Sequence, residues 1–486
     1  MSKTFTHTIM ARLTLNLCFF GYFLLVCLSA SAQSSSKQKV VDRFVDQETF
    51  KSASISIEIR DLKTGEIIAE NKSEKSLTPA STQKLLTTAT ALEILGADFR
   101  FRTDVFITGR IDKSGVLMGN LLVKGYGDPT LASKYFPNNK HFISTIINEL
   151  KKNGIRQING KLIVDNNYFK SSIPRTWIWE DIGNYYGAVP HPLSYKDNTY
   201  TLHFKSKEAG KLTEIKKIDD KQNGIRFTNE VISSTVNKDR AYIFGGTTSD
   251  HRRIEGTIPQ NRSDFKVKGA VSKPELLMLS DLKKVLHTSG IPVKEEIFKT
   301  KTQKTLLQFN SPPLSEIVAL TNQKSINLFA DHLLFQIGIN QKKEGSWQAG
   351  IDAVKEFWQS KGIDSNGLFL HDGSGLSHFN AISAKALNQI LIHMNKSKNA
   401  KVFLNSLAIA GQNGTLKSFG RLSQLAGNFK AKTGSMTGVR SYSGLLTKKD
   451  GQQIAISFII NNYTCSHKVL VGKYKTLLMQ LANYKN

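Results

Sequence analysis

Ser81 and Lys84 stand three residues apart in the stretch TPASTQKLLTTATALEIL, from Thr78 to Leu95. Small polar residues follow Pro79, and Leu85, Leu86, Ala89, Leu92 and Leu95 recur near helical spacing, which predicts a helix with one apolar face. Residues three apart on a helix share a face, so the lysine amine can reach the serine hydroxyl. A serine hydroxyl is a poor nucleophile at neutral pH, and an amine that is neutral part of the time can activate it. Taken alone, the pair also reads as a capping serine beside a solvated lysine. Residues further along the chain change that balance.

Ser325-Ile326-Asn327 opens a second helical run, and Lys432-Thr433-Gly434-Ser435 sits in a strand-like segment. S-x-x-K, S-x-N and K-T-G in this order form the signature set of penicillin-recognising acyl-serine enzymes. Burial and a second cation both lower a lysine pKa, and Lys432 is that cation for Lys84. Ser325 can relay a proton to a leaving amine, and Asn327 can hold either the substrate amide or the Lys84 amine. Lys432, Thr433 and Ser435 offer a positive, hydroxyl-lined seat for a substrate carboxylate. An oxyanion is expected between the backbone N–H groups of Ser81 and Ser435, helped by the positive end of the first helix. The chemistry is acyl transfer on a substrate that ends in a carboxylate.

The chain resembles the class C low-molecular-mass penicillin-binding proteins, the D-alanyl-D-alanine carboxypeptidase/endopeptidase family, over nearly all of its length past the leader. Besides the three motifs the likeness includes GYGDPTL from Gly125, WIWEDIGNYYGA from Trp177, SINLFADHLLFQIG from Ser325 and DGSGLS from Asp372. Ser325 follows Lys84 by 241 positions, which matches that family's large insert. The resemblance implies a penicillin-binding/β-lactamase-like α/β (α+β) domain, its antiparallel sheet flanked by helices, with two small nested domains inserted between the first two motifs. It implies peptidoglycan peptides as substrate, β-lactams as inhibitors and the periplasm as location. It nominates Asp181, in Trp177-Ile178-Trp179-Glu180-Asp181, to contact the amine of a diaminopimelate side chain, and Tyr186 as a pocket aromatic; packing and turn roles stay open for both. His378 stands where relatives often carry arginine, and Met436-Thr437 follow the K-T-G-S where relatives carry glutamine at the second place. Both departures bear on fine specificity and leave the acylation chemistry untouched.

The elements that must position these residues can be read from texture. SISIEIR and IIAEN form a hairpin before Ser81, and RSYSGLLTKKDGQQIAISFIIN forms another near the end, followed by a helix. From Phe99 to Gly269 short β-like runs dominate. The expected division is a leader over 1–32, a peptidase domain over 33–98 and 270–486, and a mostly β insert over 99–269. Lys3, Arg12, the apolar run Leu13–Leu28 and Ala30-Ser31-Ala32 have the layout of a secretory signal, and a retained membrane anchor is the other reading of that run.

The formal charge is +27, of which +25 remains without the leader. Such a surface suits anionic wall or membrane material; nucleic acid is excluded by export and by the scatter of the lysines. Past the leader only Cys465 remains, so no internal disulfide forms. His191, His371 and His378 lack metal-ligand spacing, and neither a metal nor a cofactor is expected. Ser374, in DGSGLS, has no lysine three residues on and reads as a turn former. Two other functions fit part of the pattern: a β-lactamase or esterase on the same fold, and a non-catalytic wall-binding protein.

Overall fold

The computed structural model describes residues 37–246, 249–298 and 302–483, and the expected leader lies outside the described residues. The first body is a six-stranded antiparallel sheet built from both ends of the chain. Its strands are β1 (Ser54–Asp61), β2 (Ile67–Asn71), β3 (Ala408–Ile409), β4 (Phe429–Met436), β5 (Val439–Thr447) and β6 (Gln453–Asn461), in the order β3-β4-β5-β6-β1-β2. β6 pairs β1 from Ser54 opposite Asn461 to Asp61 opposite Ile454, which closes the two chain ends into one sheet.

Strand residues alternate between faces, yet β6 is apolar on both because both faces are covered. Ile454, Ile456, Phe458 and Ile460 pack with α1 (37–45) and a C-terminal helix (His467–Asn483). Ala455 and Ile459 pack with α2 (Lys84–Leu95), α3 (Leu314–Lys324), α4 (Asn327–Lys342), α5 (Trp347–Ser360) and α6 (Ala384–Lys396). α2 is the centre of that second layer. It differs from the one-faced helix expected, because Thr87, Thr88 and Thr90 are buried along with its leucines. Their burial is tolerable because the Thr88 and Thr90 hydroxyls donate to the Lys84 and Leu86 carbonyls, each at 2.7 Å.

The insert leaves this body after Phe101 and is layered in two. Strands between Arg102 and Asn310 make two four-stranded sheets, and strands between Thr199 and Ala270 make two three-stranded sheets nested inside the first unit in sequence. One apolar core runs through both, from Val105, Ile146 and Leu282 to Phe204, Val231 and Ile254. The boundary expected at 269/270 is corrected. Pro274–Thr288 packs Leu277, Met278, Leu282 and Leu286 into the insert core, and Gln303–Asn310 pairs with Arg102–Thr108. The chain therefore returns at Ser311, whose amide donates to the Phe101 carbonyl at 2.9 Å. An amphipathic helix pattern specifies that a face is buried, not which body buries it.

Candidate active site

Ser81 lies on a single 3-10 turn (Ala80–Gln83) that runs directly into α2. Ala80 holds φ +46°, a left-handed conformation that is costly for a residue with a Cβ, so the turn must be fastened from outside. The sheet fastens it. Ser441 on β5 donates to the Pro79 carbonyl at 2.5 Å, and Asn461 at the end of β6 bonds both backbone groups of Thr78. Gly434 on β4 presses against the same turn: a methyl there would stand 3.0 Å from the Ser81 nitrogen and collide with the Pro79 carbonyl and the Ser441 hydroxyl. Ser81 makes no capping bond, and its hydroxyl is turned to Lys84 instead.

Lys84 is fully buried, and its Nζ lies 2.9 Å from Ser81 Oγ, 2.7 Å from Asn327 Oδ1 and 2.6 Å from the Ser374 carbonyl. An amide oxygen and a carbonyl can only accept. An ammonium donates its three N–H groups to all three partners, and a neutral amine keeps two of them for the amide oxygen and the carbonyl while its lone pair accepts from the serine O–H, so the pocket accommodates both protonation states. Burial pushes this lysine down to about 8, against the opposing pull of Asp331 and Asp372.

The second and third motifs arrive from different elements. Ser325 ends α3 in the left-handed conformation, φ +59°, and Asn327 opens α4 two residues later. Lys432 on β4 is fully buried and donates to Ser325 Oγ at 2.9 Å and to its neighbour's carbonyl, that of Thr433, at 2.7 Å. Burial, then repulsion from Lys84 and Arg440, drives its pKa well below the usual lysine range. Thr433 donates to the Thr415 hydroxyl at 2.9 Å, and Ser435 is exposed on the same strand.

The insert closes one side. Asn327 Nδ2 donates to the Tyr186 carbonyl at 2.9 Å, and the Tyr186 ring packs beside Trp177 and Val189 with its hydroxyl toward Asp181. Trp177 Nε1 donates to Asp372 Oδ2 at 2.8 Å, which joins WIWED to DGSGLS. Asp181 is buried, one carboxylate oxygen has no partner, and burial, followed by repulsion from Glu180, raises it to about 6. The side chain of His378 is exposed, and its carbonyl accepts from Thr78 Oγ1 at 3.3 Å. Among the described residues no group of three or more His, Cys, Asp or Glu is placed to hold a metal.

Sequence reasoning missed several participants. Asp331, Asp372, Ser441 and Thr415 all touch the catalytic elements, and the Ser374 carbonyl orients Lys84 although its side chain was read only as part of a turn. Asp372 opens the DGSGLS stretch, and Asp331 carried a second usable signal, its four-residue spacing from Asn327 on one helix face.

Known proteins are similar to this chain in sequence and in fold. The D-alanyl-D-alanine carboxypeptidase DacB of Haemophilus influenzae is 28% identical over 454 residues, covering 91% of this chain and 92% of that one. The crystal structure of penicillin-binding protein 4 (DacB) from the same organism superposes with a TM-score of 0.76 at 26% identity, covering 92% of this chain and 99% of that chain. Its complex with a β-lactam superposes at 0.72 with 27% identity, over 89% and 97% of the two chains. The model of the D-Ala-D-Ala carboxypeptidase 3 (S13) family matches residues 37–482, which takes in the sheet, the insert and all three motifs; the chain belongs to that family.

Proposed function

We propose that this protein is a serine D-alanyl-D-alanine carboxypeptidase/endopeptidase that acts on peptidoglycan peptides in the periplasm. The observation that carries the reading is the fully buried Lys84 amine, 2.9 Å from Ser81 Oγ and saturated by two acceptors. The neutral amine takes the Ser81 proton as Oγ bonds to the carbonyl carbon of the penultimate D-alanine. The carbonyl oxygen gains negative charge and is met by the Ser81 and Ser435 N–H groups. As the C–N bond breaks, Ser325, held by Lys432, passes a proton to the departing amine, and an acyl-Ser81 ester remains. Water then enters by the same proton route and releases the peptide.

Lys432, Thr433, Gly434 and Ser435 form the seat for the substrate's terminal carboxylate, and Asp181 faces the side-chain amine. Tyr186 and His378 border that side. A β-lactam presents its strained amide to Ser81 in the same way, which agrees with the β-lactam complex of the Haemophilus protein. The charge of +25 that remains without the leader favours retention near anionic wall or membrane material.

The test is incubation of crosslinked muropeptide dimers with the protein and with Ser81→Ala, followed by mass analysis. Conversion of dimers to monomers by the parent alone identifies an endopeptidase, and loss of terminal alanine alone identifies a carboxypeptidase. Absence of both, with no penicillin adduct on Ser81, overturns the reading.

A further inference from the structure

The residues that hold Lys84 continue one turn deeper than the sequence motifs. Asp331 follows Asn327 by four positions on α4, on the same face, and is completely buried. Its Oδ1 accepts from the Gly373 amide at 2.9 Å, and its Oδ2 has no hydrogen-bond partner. Gly373 is pressed onto the helix: a methyl there would stand 2.7 Å from the Ala330 carbonyl oxygen and 2.9 Å from Leu334 Cβ. The next carbonyl along, that of Ser374, is the one that accepts from Lys84 at 2.6 Å. Asp331 thus clamps the loop one residue before the atom that aims the amine.

A second carboxylate lies in the same loop with a different set of partners. Asp372 accepts from the Gly375 amide at 2.7 Å, the Ser377 amide at 2.7 Å, Asn380 Nδ2 at 3.0 Å and Trp177 Nε1 at 2.8 Å. Asp372 thus accepts these four hydrogen bonds, whereas Asp331 accepts one from a backbone amide and its Oδ2 has none. Asp372 is structurally committed. Asp331 keeps one carboxylate oxygen outside any hydrogen bond.

We propose that Asp331 is a positioning residue for Lys84, clamping the Gly373-Ser374 turn and placing a negative charge behind the amine. This rests on the reading of Ser81 and Lys84 above. The charged groups around the amine are Asp331 from α4, Asp372 from the turn, and Lys432 from β4 with Arg440 of β5 behind it. Burial, then repulsion from Asp372, raises the Asp331 carboxyl, and attraction to Lys84 opposes that rise. An ionised Asp331 favours the ammonium form of Lys84, while Lys432 favours the free amine. Where ionised, the Asp331 carboxylate therefore raises the lowest pH at which Lys84 can take the Ser81 proton, against the larger lowering by burial.

The experiment is the rate of Ser81 acylation by a fluorescent penicillin as a function of pH, for the parent and for Asp331→Asn, Asp331→Glu and Asp331→Leu. Asparagine keeps an acceptor for the Gly373 amide and removes the charge. Its acidic limb is expected about one pH unit lower than the parent's, with a plateau within about threefold. Glutamate returns the limb toward the parent position. Leucine removes both charge and clamp, and its plateau falls by roughly 10- to 100-fold with little change in penicillin affinity. An unmoved acidic limb in folded Asp331→Asn overturns the inference, with folding checked by thermal melting; should that variant not fold, the smaller neutral Asp331→Ser decides by the same limb. Failure of the parent to acylate at Ser81 would instead remove the functional reading, and this inference with it.

Discussion

Asp331 and His332 are adjacent on α4, and they face two different buried regions. Asp331 backs the lysine pocket; His332 faces the seam with the insert, where its Nε2 lies 2.8 Å from Ser194 Oγ and where His191 and Glu275 also meet. Burial lowers the pKa of every cation in both places, but counter-charge differs. Two carboxylates restrain Lys84, which settles at about 8, close to a working pH. At the seam burial dominates, and His191 and His332 are pushed down to about 4 and about 3. The same desolvation leaves an amine that titrates near a working pH in one region and neutral packing polar groups in the other.

Replacing the base should have the largest effect. Lys84→Met is expected to slow penicillin acylation by about 10³-fold or more, followed by mass analysis of the Ser81 adduct over time. Next comes Gly434→Ala, which forces β4 away from the serine turn; a displacement of that kind costs on the order of 10²-fold in the same assay while the sheet still folds. A parent-like rate would show that the close approach of β4 is unimportant. Trp177→Phe deletes the indole donor to Asp372 and should lower stability by about 2 kcal/mol in urea denaturation, because a buried carboxylate loses a partner.

The smallest effect separates the two regions by pH. A histidine whose folded pKa is depressed leaves the unfolded chain binding the extra proton. Stability contributed by neutral His191 and His332 is therefore complete above the ordinary histidine value of 6.5 and is lost as pH falls toward about 4 and about 3. The melting temperature should drop across that window, and a His191→Gln, His332→Gln pair should flatten the drop. A parallel slope in parent and variant would assign the acid sensitivity to other groups.

Much of the site was legible because its chemistry demands particular residue types at short spacing. Ser81 with Lys84, and Ser325 with Asn327, are fixed relative to each other by one turn of backbone, and the hairpins flanking β5 and β6 announce themselves by alternation and a Lys-Asp-Gly turn. The insert's return point was misplaced because the helix over Pro274–Thr288 carries the same apolar periodicity whichever core receives it. Tyr186 was nominated for its ring; the contact of its carbonyl with Asn327 was not legible, because backbone groups leave no mark in residue identity. The Ser374 carbonyl escaped notice for the same reason.

The sequence by itself named the candidates for nucleophile, base, relay and carboxylate seat, since each proposed role needs a specific functional group at a short, locally fixed spacing. Only the tertiary structure decided that Lys84 is fully buried, that Lys432 on a strand reaches Ser325 at the end of a helix, and that the Ser374 carbonyl meets the amine. Those contacts join positions up to hundreds of residues apart, and the energy of a buried charge depends on what encloses it. Residue type names a group, and enclosure sets its protonation.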